Sequence, residues 1–247
     1  MSIRRLITFI LLLILSQALP AYAETPVGFR FSNMRIVFLE KVNAGAFAEL
    51  ENANKDPYLI QSWIVAADEQ TGLPMDKNTQ QSAVPFVITP PLHRLEVGER
   101  YRWRIQRVGN QGLASDRESI FYVALKAIPT TDKQAQDKGE FVLSPVIYQK
   151  LLYRPAALEE LRTDMLADKA TFRREGNQLV VRNDSPLYMT FATLQVGDYE
   201  MPESELYKMV PPFAEQRYPL PASAKGNVMW RLLNEYGIAT KAELKPL

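Results

Sequence analysis

Beyond residue 23 the chain alternates short apolar, β-branched runs with clusters of turn residues. Met34 to Leu39, Ala46 to Leu50, Tyr58 to Val65, Arg102 to Val108, Ile120 to Leu125 and Phe141 to Leu143 each read as a strand. The clearest is Arg102-Trp103-Arg104-Ile105-Gln106-Arg107-Val108, where polar and apolar side chains alternate with a period of two. That pattern buries one face of a strand and no face of a helix. Asn52 to Pro57, Thr71-Gly72-Leu73-Pro74 and Gly109-Asn110-Gln111-Gly112 separate the runs with turn chemistry. Strands at this spacing predict a β-sandwich.

The character changes after Pro155. Ala156 to Ala170 has helical propensity and predicts a short helix or a covered loop. Strands then resume at Ala170 to Arg174, Gln178 to Asn183, Leu187 to Leu194 and Gly226 to Leu233, with an apolar inventory of their own. The expectation is an all-β fold of two domains, residues 24–152 and 153–247, divided near Leu152 to Pro155. Residues 1–23 read as a secretion signal: Arg4 and Arg5, an apolar run from Leu6 to Leu15, and Ala21-Tyr22-Ala23 at the cleavage positions. The run is shorter than the roughly 20 residues a bilayer span needs. The mature chain would begin near Glu24.

Charge and cysteine content narrow the function. Without Arg4 and Arg5 of the signal, the 29 Lys and Arg fall to 27 against 28 Asp and Glu, which leaves no basic excess and argues against a nucleic-acid partner. There is no cysteine, so neither disulfides nor thiolate zinc sites enter. His93, the one histidine, argues against a histidine-rich metal centre and leaves a Ser-His-Asp triad a single candidate base. No GxSxG, P-loop or GxGxxG is present. None of these residues by itself signals a cofactor, a metal, a catalytic triad or a small-molecule site.

Seven motifs, in order, cover almost the whole mature length. They are Asn33 to Phe38, Pro57 to Trp63, Thr89 to Gly98, Asp116 to Tyr122, Lys150-Leu151-Leu152-Tyr153-Arg154-Pro155, Asn183 to Tyr188 and Asn234-Glu235-Tyr236-Gly237. In order and spacing they resemble the PapD-like periplasmic pilus chaperones of the chaperone-usher pathway. The resemblance implies two immunoglobulin-like sandwiches set in an L or boomerang. It also implies a periplasmic protein that binds pilus subunits, passes them to an outer-membrane usher, and has room for a self-capping dimer when no subunit is present.

The same resemblance assigns residues. Arg35 and Lys150 match the cations that hold a subunit's C-terminal carboxylate, through charge-assisted hydrogen bonds of about 1.5–3 kcal/mol each. Glu118, Arg154 and Glu235 match a structural ion network between the domains; Glu235 stands where the family more often has aspartate. Phe141, Leu143, Pro145 and Ile147 match the side chains of a donor strand that completes an unfinished subunit fold. Pro145 cannot donate to a ladder, and Val142, Val146 and Tyr148 form a second apolar face that a one-residue slip would present. The polar loop from Thr130 to Gly139 is similar to that of the short-loop branch, which assembles rod-like multi-subunit pili. Two other classes compete with this reading: an exported carbohydrate-active enzyme using Glu96 and Glu118, and an immunoglobulin-like adhesive module or pilus subunit.

Overall fold

The alternation in the central arginine-rich run is realised as a strand, Arg100–Arg107: Arg100, Arg102 and Arg104 face solvent while Trp103 and Ile105 are fully buried. The computed structural model describes residues 28–33, 35–68, 71–77, 84–130 and 143–247. The secretion signal, the loop expected at Thr130 to Gly139 apart from Thr130 itself, and Phe141 of the donor strand lie outside the described residues.

The first unit comprises β1 (Phe29–Phe31), β2 (Arg35–Leu39), β3 (Ala46–Asn52), β4 (Tyr58–Ala66), β5 (Phe86–Thr89), β6 (Leu92–Leu95), β7 (Arg100–Arg107), β8 (Ser119–Pro129) and β9 (Val146–Arg154). Its two sheets run β1-β3-β7-β5 and β2-β9-β8-β4-β6. Their inner faces enclose Leu50, Ile60, Trp103, Ile105, Leu125 and Leu151. The near-continuous apolar run in β8 reflects cover on both faces. Phe121, Val123 and Leu125 enter the core, while Tyr122 on the reverse face donates its hydroxyl to the Gly72 carbonyl at 2.5 Å.

The second unit holds β10 (Ala170–Glu175), β11 (Gln178–Asn183), β12 (Met189–Val196), β13 (Tyr199–Glu200), α1 (Glu203–Leu206), β14 (Met209–Val210), β15 (Glu215–Pro219), β16 (Val228–Leu232) and β17 (Glu243–Lys245). Sheet β10-β11-β15 packs on β13-β12-β16-β17, with β14 on β12. Trp230, Tyr218, Phe191 and Leu179 fill the space between them, and the buried Trp230 indole donates to the Ala167 carbonyl at 3.1 Å. Two all-β sandwiches are thus present.

The stretch expected as a short helix or covered loop is three single turns of 3-10 helix, Ala156–Leu158, Thr163–Met165 and Ala167–Lys169. β9 stays in the first sheet through Arg154, and Tyr153 packs in the first core. Leu143, expected within a strand, precedes one: β9 starts at Val146. Pro145 has no N–H to offer a ladder, although its carbonyl still accepts from the Ala127 N–H at 2.9 Å.

Candidate functional site

β9 carries two chemically different cations four residues apart, and therefore on one face. Arg154 is enclosed. Its side chain and that of Glu118 are 4% and 1% exposed, and its Nε and Nη2 donate to Glu118 Oε1 at 2.9 and 2.8 Å. Nη2 also reaches Glu235 Oε1 at 3.0 Å, and Nη1 donates to the Leu161 carbonyl at 2.6 Å. The other Glu118 oxygen accepts the Tyr188 N–H at 2.8 Å, from the second sandwich. The three residues expected to form an interdomain network do meet. Glu235 reaches far enough to serve Arg154 and also the Thr163 N–H at 3.0 Å. Burial pushes the Glu118 carboxyl up, against the pull of Arg154 and the Tyr188 N–H. At Glu235 burial opposes ionisation too, but hydrogen bonds from its own backbone, Arg154 and Thr163 hold the carboxyl below its usual range.

Lys150 and Arg35 are placed differently. β2 runs parallel to β9, and Arg35 is the register partner of Lys150, so the two cations stand side by side on adjacent strands. Neither makes a salt bridge among the described residues. Arg35 is 5% exposed, and its Nη1 donates to the Leu233 carbonyl at 3.1 Å. Lys150 Nζ donates to the Tyr207 carbonyl at 3.1 Å, in a cleft of about 1320 Å3 also lined by Tyr122, Tyr188 and Tyr207. Burial, and then the charge of Arg35, lower the Lys150 pKa from 10.5 to about 8. Burial also lowers that of Arg35, against the charges of Glu118 and Glu235. Two desolvated like charges with no carboxylate in salt-bridge contact among the described residues form a site that an incoming anion relieves.

The segment before Lys150 is an edge. Among the described residues, Val146 to Gln149 of β9 pair with β8 on one side only, because β2 takes the other side from Lys150 onward. Val146 and Tyr148 are exposed on the Lys150 face; Ile147 is half-buried on the face that carries Leu151 and Tyr153 into the core. Leu143, ahead of the strand, is 71% exposed, and Pro145 is exposed as well.

Residues 28–159 match the family described as pili and flagellar-assembly chaperone, PapD N-terminal domain. Residues 165–244 match the pili assembly chaperone PapD, C-terminal domain. The chain belongs to the PapD family of pilus-assembly chaperones. It is similar to the chaperone protein FimC of Escherichia coli K12, 32% identical over 236 residues that span 95% of this chain and 91% of FimC. Among solved structures it resembles the SafB chaperone of Salmonella enterica, seen with the SafA pilin. That likeness has a TM-score of 0.75 and 28% identity, covering 91% of this chain and 99% of the other. The E. coli chaperone DraB gives a TM-score of 0.72 at 31% identity, covering 90% and 99%.

Membership of this family sets the rival readings aside. It is a chaperone family, not an enzyme class. The acids proposed for glycoside chemistry have other occupations: Glu118 is held by Arg154, and Glu96 pairs with Arg94 at 2.6 Å on the surface. His93 contacts Glu99 at 3.0 Å and stacks on Tyr101. Sequence reasoning missed several contacts at and near the boundary between the two sandwiches. Arg117 lies over the Phe213 ring across the domain boundary, with Phe213 in a left-handed backbone conformation, φ 56°. Glu40 accepts from Arg107 at 2.9 Å and from the Ala156 N–H of the connecting segment at 2.8 Å, while Glu159 of that segment accepts the Lys41 N–H at 2.6 Å. Several of the partners are backbone groups, which leave no mark in a sequence.

Proposed function

We propose that this periplasmic chaperone captures a pilus subunit by lending it the edge leading into β9, and fixes the register by holding the subunit's terminal carboxylate between Arg35 and Lys150. The observation that carries the reading is a coincidence of place: the free edge ends where the unpaired cations stand. Main-chain groups of residues 146–149 have no strand partner on one side among the described residues, and strand addition to such an edge is the mode pilus chaperones are known for. Just past them β2 already occupies that line. An incoming strand therefore has to stop at Lys150, and only a strand running parallel to β9, as β2 does, brings its C-terminus to that point. The carboxylate anchor thus selects direction as well as register. Leu143, Pro145 and Ile147, with Phe141, supply the apolar side chains that fill the subunit's groove. The usher then receives the loaded complex, and no nucleotide or cofactor enters the cycle.

The test is capture of a native pilin against the same pilin with its C-terminus amidated. Loss of the charge should weaken binding about 10–100-fold, and Lys150→Met should weaken capture of the native pilin comparably or more. Equal affinity for the two pilins would overturn the anchor.

Capture should also depend on pH. Carboxylate binding favours the ammonium form of Lys150, whose pKa in the empty cleft is about 8. Below that pH loading needs no proton. Above it a proton must be taken up, so affinity should fall by up to about tenfold per pH unit. Calorimetric titrations between pH 7 and 9.5 should show the fall in the wild type and its absence in Lys150→Met.

A further inference from the structure

The anchoring cations do not wait free in the cleft. Each already donates to a backbone carbonyl of the other sandwich: Lys150 to Tyr207, just after α1, and Arg35 to Leu233, just after β16. We infer that in the unloaded chaperone Arg35 and Lys150 are also interdomain straps, so that the residues which take the carboxylate set the alignment of the sandwiches that receive it. This rests on the anchor reading above but makes a separate claim, about the protein with no subunit present.

Several separate contacts restrain one rigid body against another more tightly than any one of them does. The Glu118 carboxylate and N–H bind Tyr188 N–H and the Pro186 carbonyl, both 2.8–2.9 Å, and define one point. Leu233 lies in the hairpin that also presents Glu235 to Arg154, the second point. The segment at Tyr207 leads into β14, which pairs with β12 just beyond Tyr188, and among the described residues the Lys150 hydrogen bond joins it to β9. On the first sandwich both donors sit on paired strands, β2 and β9, so they are fixed; on the second, the acceptors lie where an element ends. Out of water, a hydrogen bond from a cation to a carbonyl is strengthened by the low local dielectric.

Loading need not break the straps. An ammonium has three donors and a guanidinium five, and one of each is used on the carbonyls. A carboxylate can accept the rest, which makes the aligned state the binding-competent one. Any loss of alignment then lowers apparent affinity by the fraction of molecules misaligned.

The chain has no cysteine, so Lys55→Cys and Ser223→Cys, both at exposed positions of different sandwiches, accept one spin label each. Pulsed electron–electron distance distributions of the unloaded protein should be broader in Lys150→Met and Arg35→Met than in the wild type, and narrow again in Lys150→Arg. Circular dichroism melts confirm that each variant is folded. Unchanged distributions in both methionine variants would overturn the straps even if the amidated pilin binds weakly, which leaves the carboxylate anchor standing. Broadened distributions together with equal capture of native and amidated pilin support the straps and remove the anchor.

Discussion

Arg154→Ala should cost the unloaded protein about 3–5 kcal/mol of stability, the penalty for removing one partner of a buried ion pair. The magnitude follows from what is left behind. Glu118 keeps a side chain that is 1% exposed and loses both guanidinium contacts, while Glu235 and the Leu161 carbonyl lose theirs. Glu118 already has its carboxyl pushed up by burial; without Arg154 it has to protonate or admit water. In a protein of this size the loss corresponds to a fall in Tm of about 6–20 °C. Glu118→Gln should cost less than Glu118→Ala, since the amide oxygen still accepts the Tyr188 N–H. Lys150→Met provides the contrast. With its pKa lowered to about 8 against 10.5, the charged lysine is a net burden on the fold below pH 8, and wild-type stability should rise between about pH 8 and 10.5 as the unfolded chain binds the extra proton. The methionine variant should melt no lower than the wild type at pH 7 and lose that rise. Urea unfolding across pH reads both, and an Arg154→Ala melt within about 3 °C of the wild type would refute the network's structural role.

Leu143→Asp should abolish subunit capture while leaving the unloaded fold intact. Leu143 is 71% exposed, so the empty protein loses little. In the complex the same side chain is proposed to enter the subunit's core groove, where a large aliphatic group contributes about 1.5–3 kcal/mol and an unpaired carboxylate is strongly disfavoured. Leu143→Ala should weaken binding about tenfold to a hundredfold, and the aspartate more. Val146→Asp is the control for register: Val146 lies on the Lys150 face of the strand, so in the expected register it points away from the groove and its replacement should matter far less. A slip by one residue exchanges the two faces. A stronger effect at Val146 than at Leu143 would mean the strand is offered in the other register.

How much of this was legible beforehand differs by element. The strands with a clean two-residue period, such as β7, or with continuous β-branched runs, such as β4 and β8, were visible because burial dictates side-chain type directly. β15, with Glu215, Gln216 and Arg217 in its five residues, gave no such signal; Tyr218 alone enters the core and the rest is held by pairing to β11. The connecting segment had helical propensity but forms only single 3-10 turns, with its chain pinned by Glu40, Glu235 and Arg154. Tertiary contacts outweighed propensity there.

By itself the sequence determined the residue types of the site and their order: two cations and a proline at the end of an apolar run, two acids in distant motifs, and an arginine far upstream. Those features are local, and local chemistry is written in the chain. Only the tertiary structure decided that Arg35 becomes the parallel register partner of Lys150, that Arg154 pairs with carboxylates while Lys150 makes no salt bridge among the described residues, and that the open edge ends at the cations. The physical reason is that pairing and desolvation are properties of neighbours brought together across up to 198 positions of chain, several of them backbone carbonyls that every residue possesses.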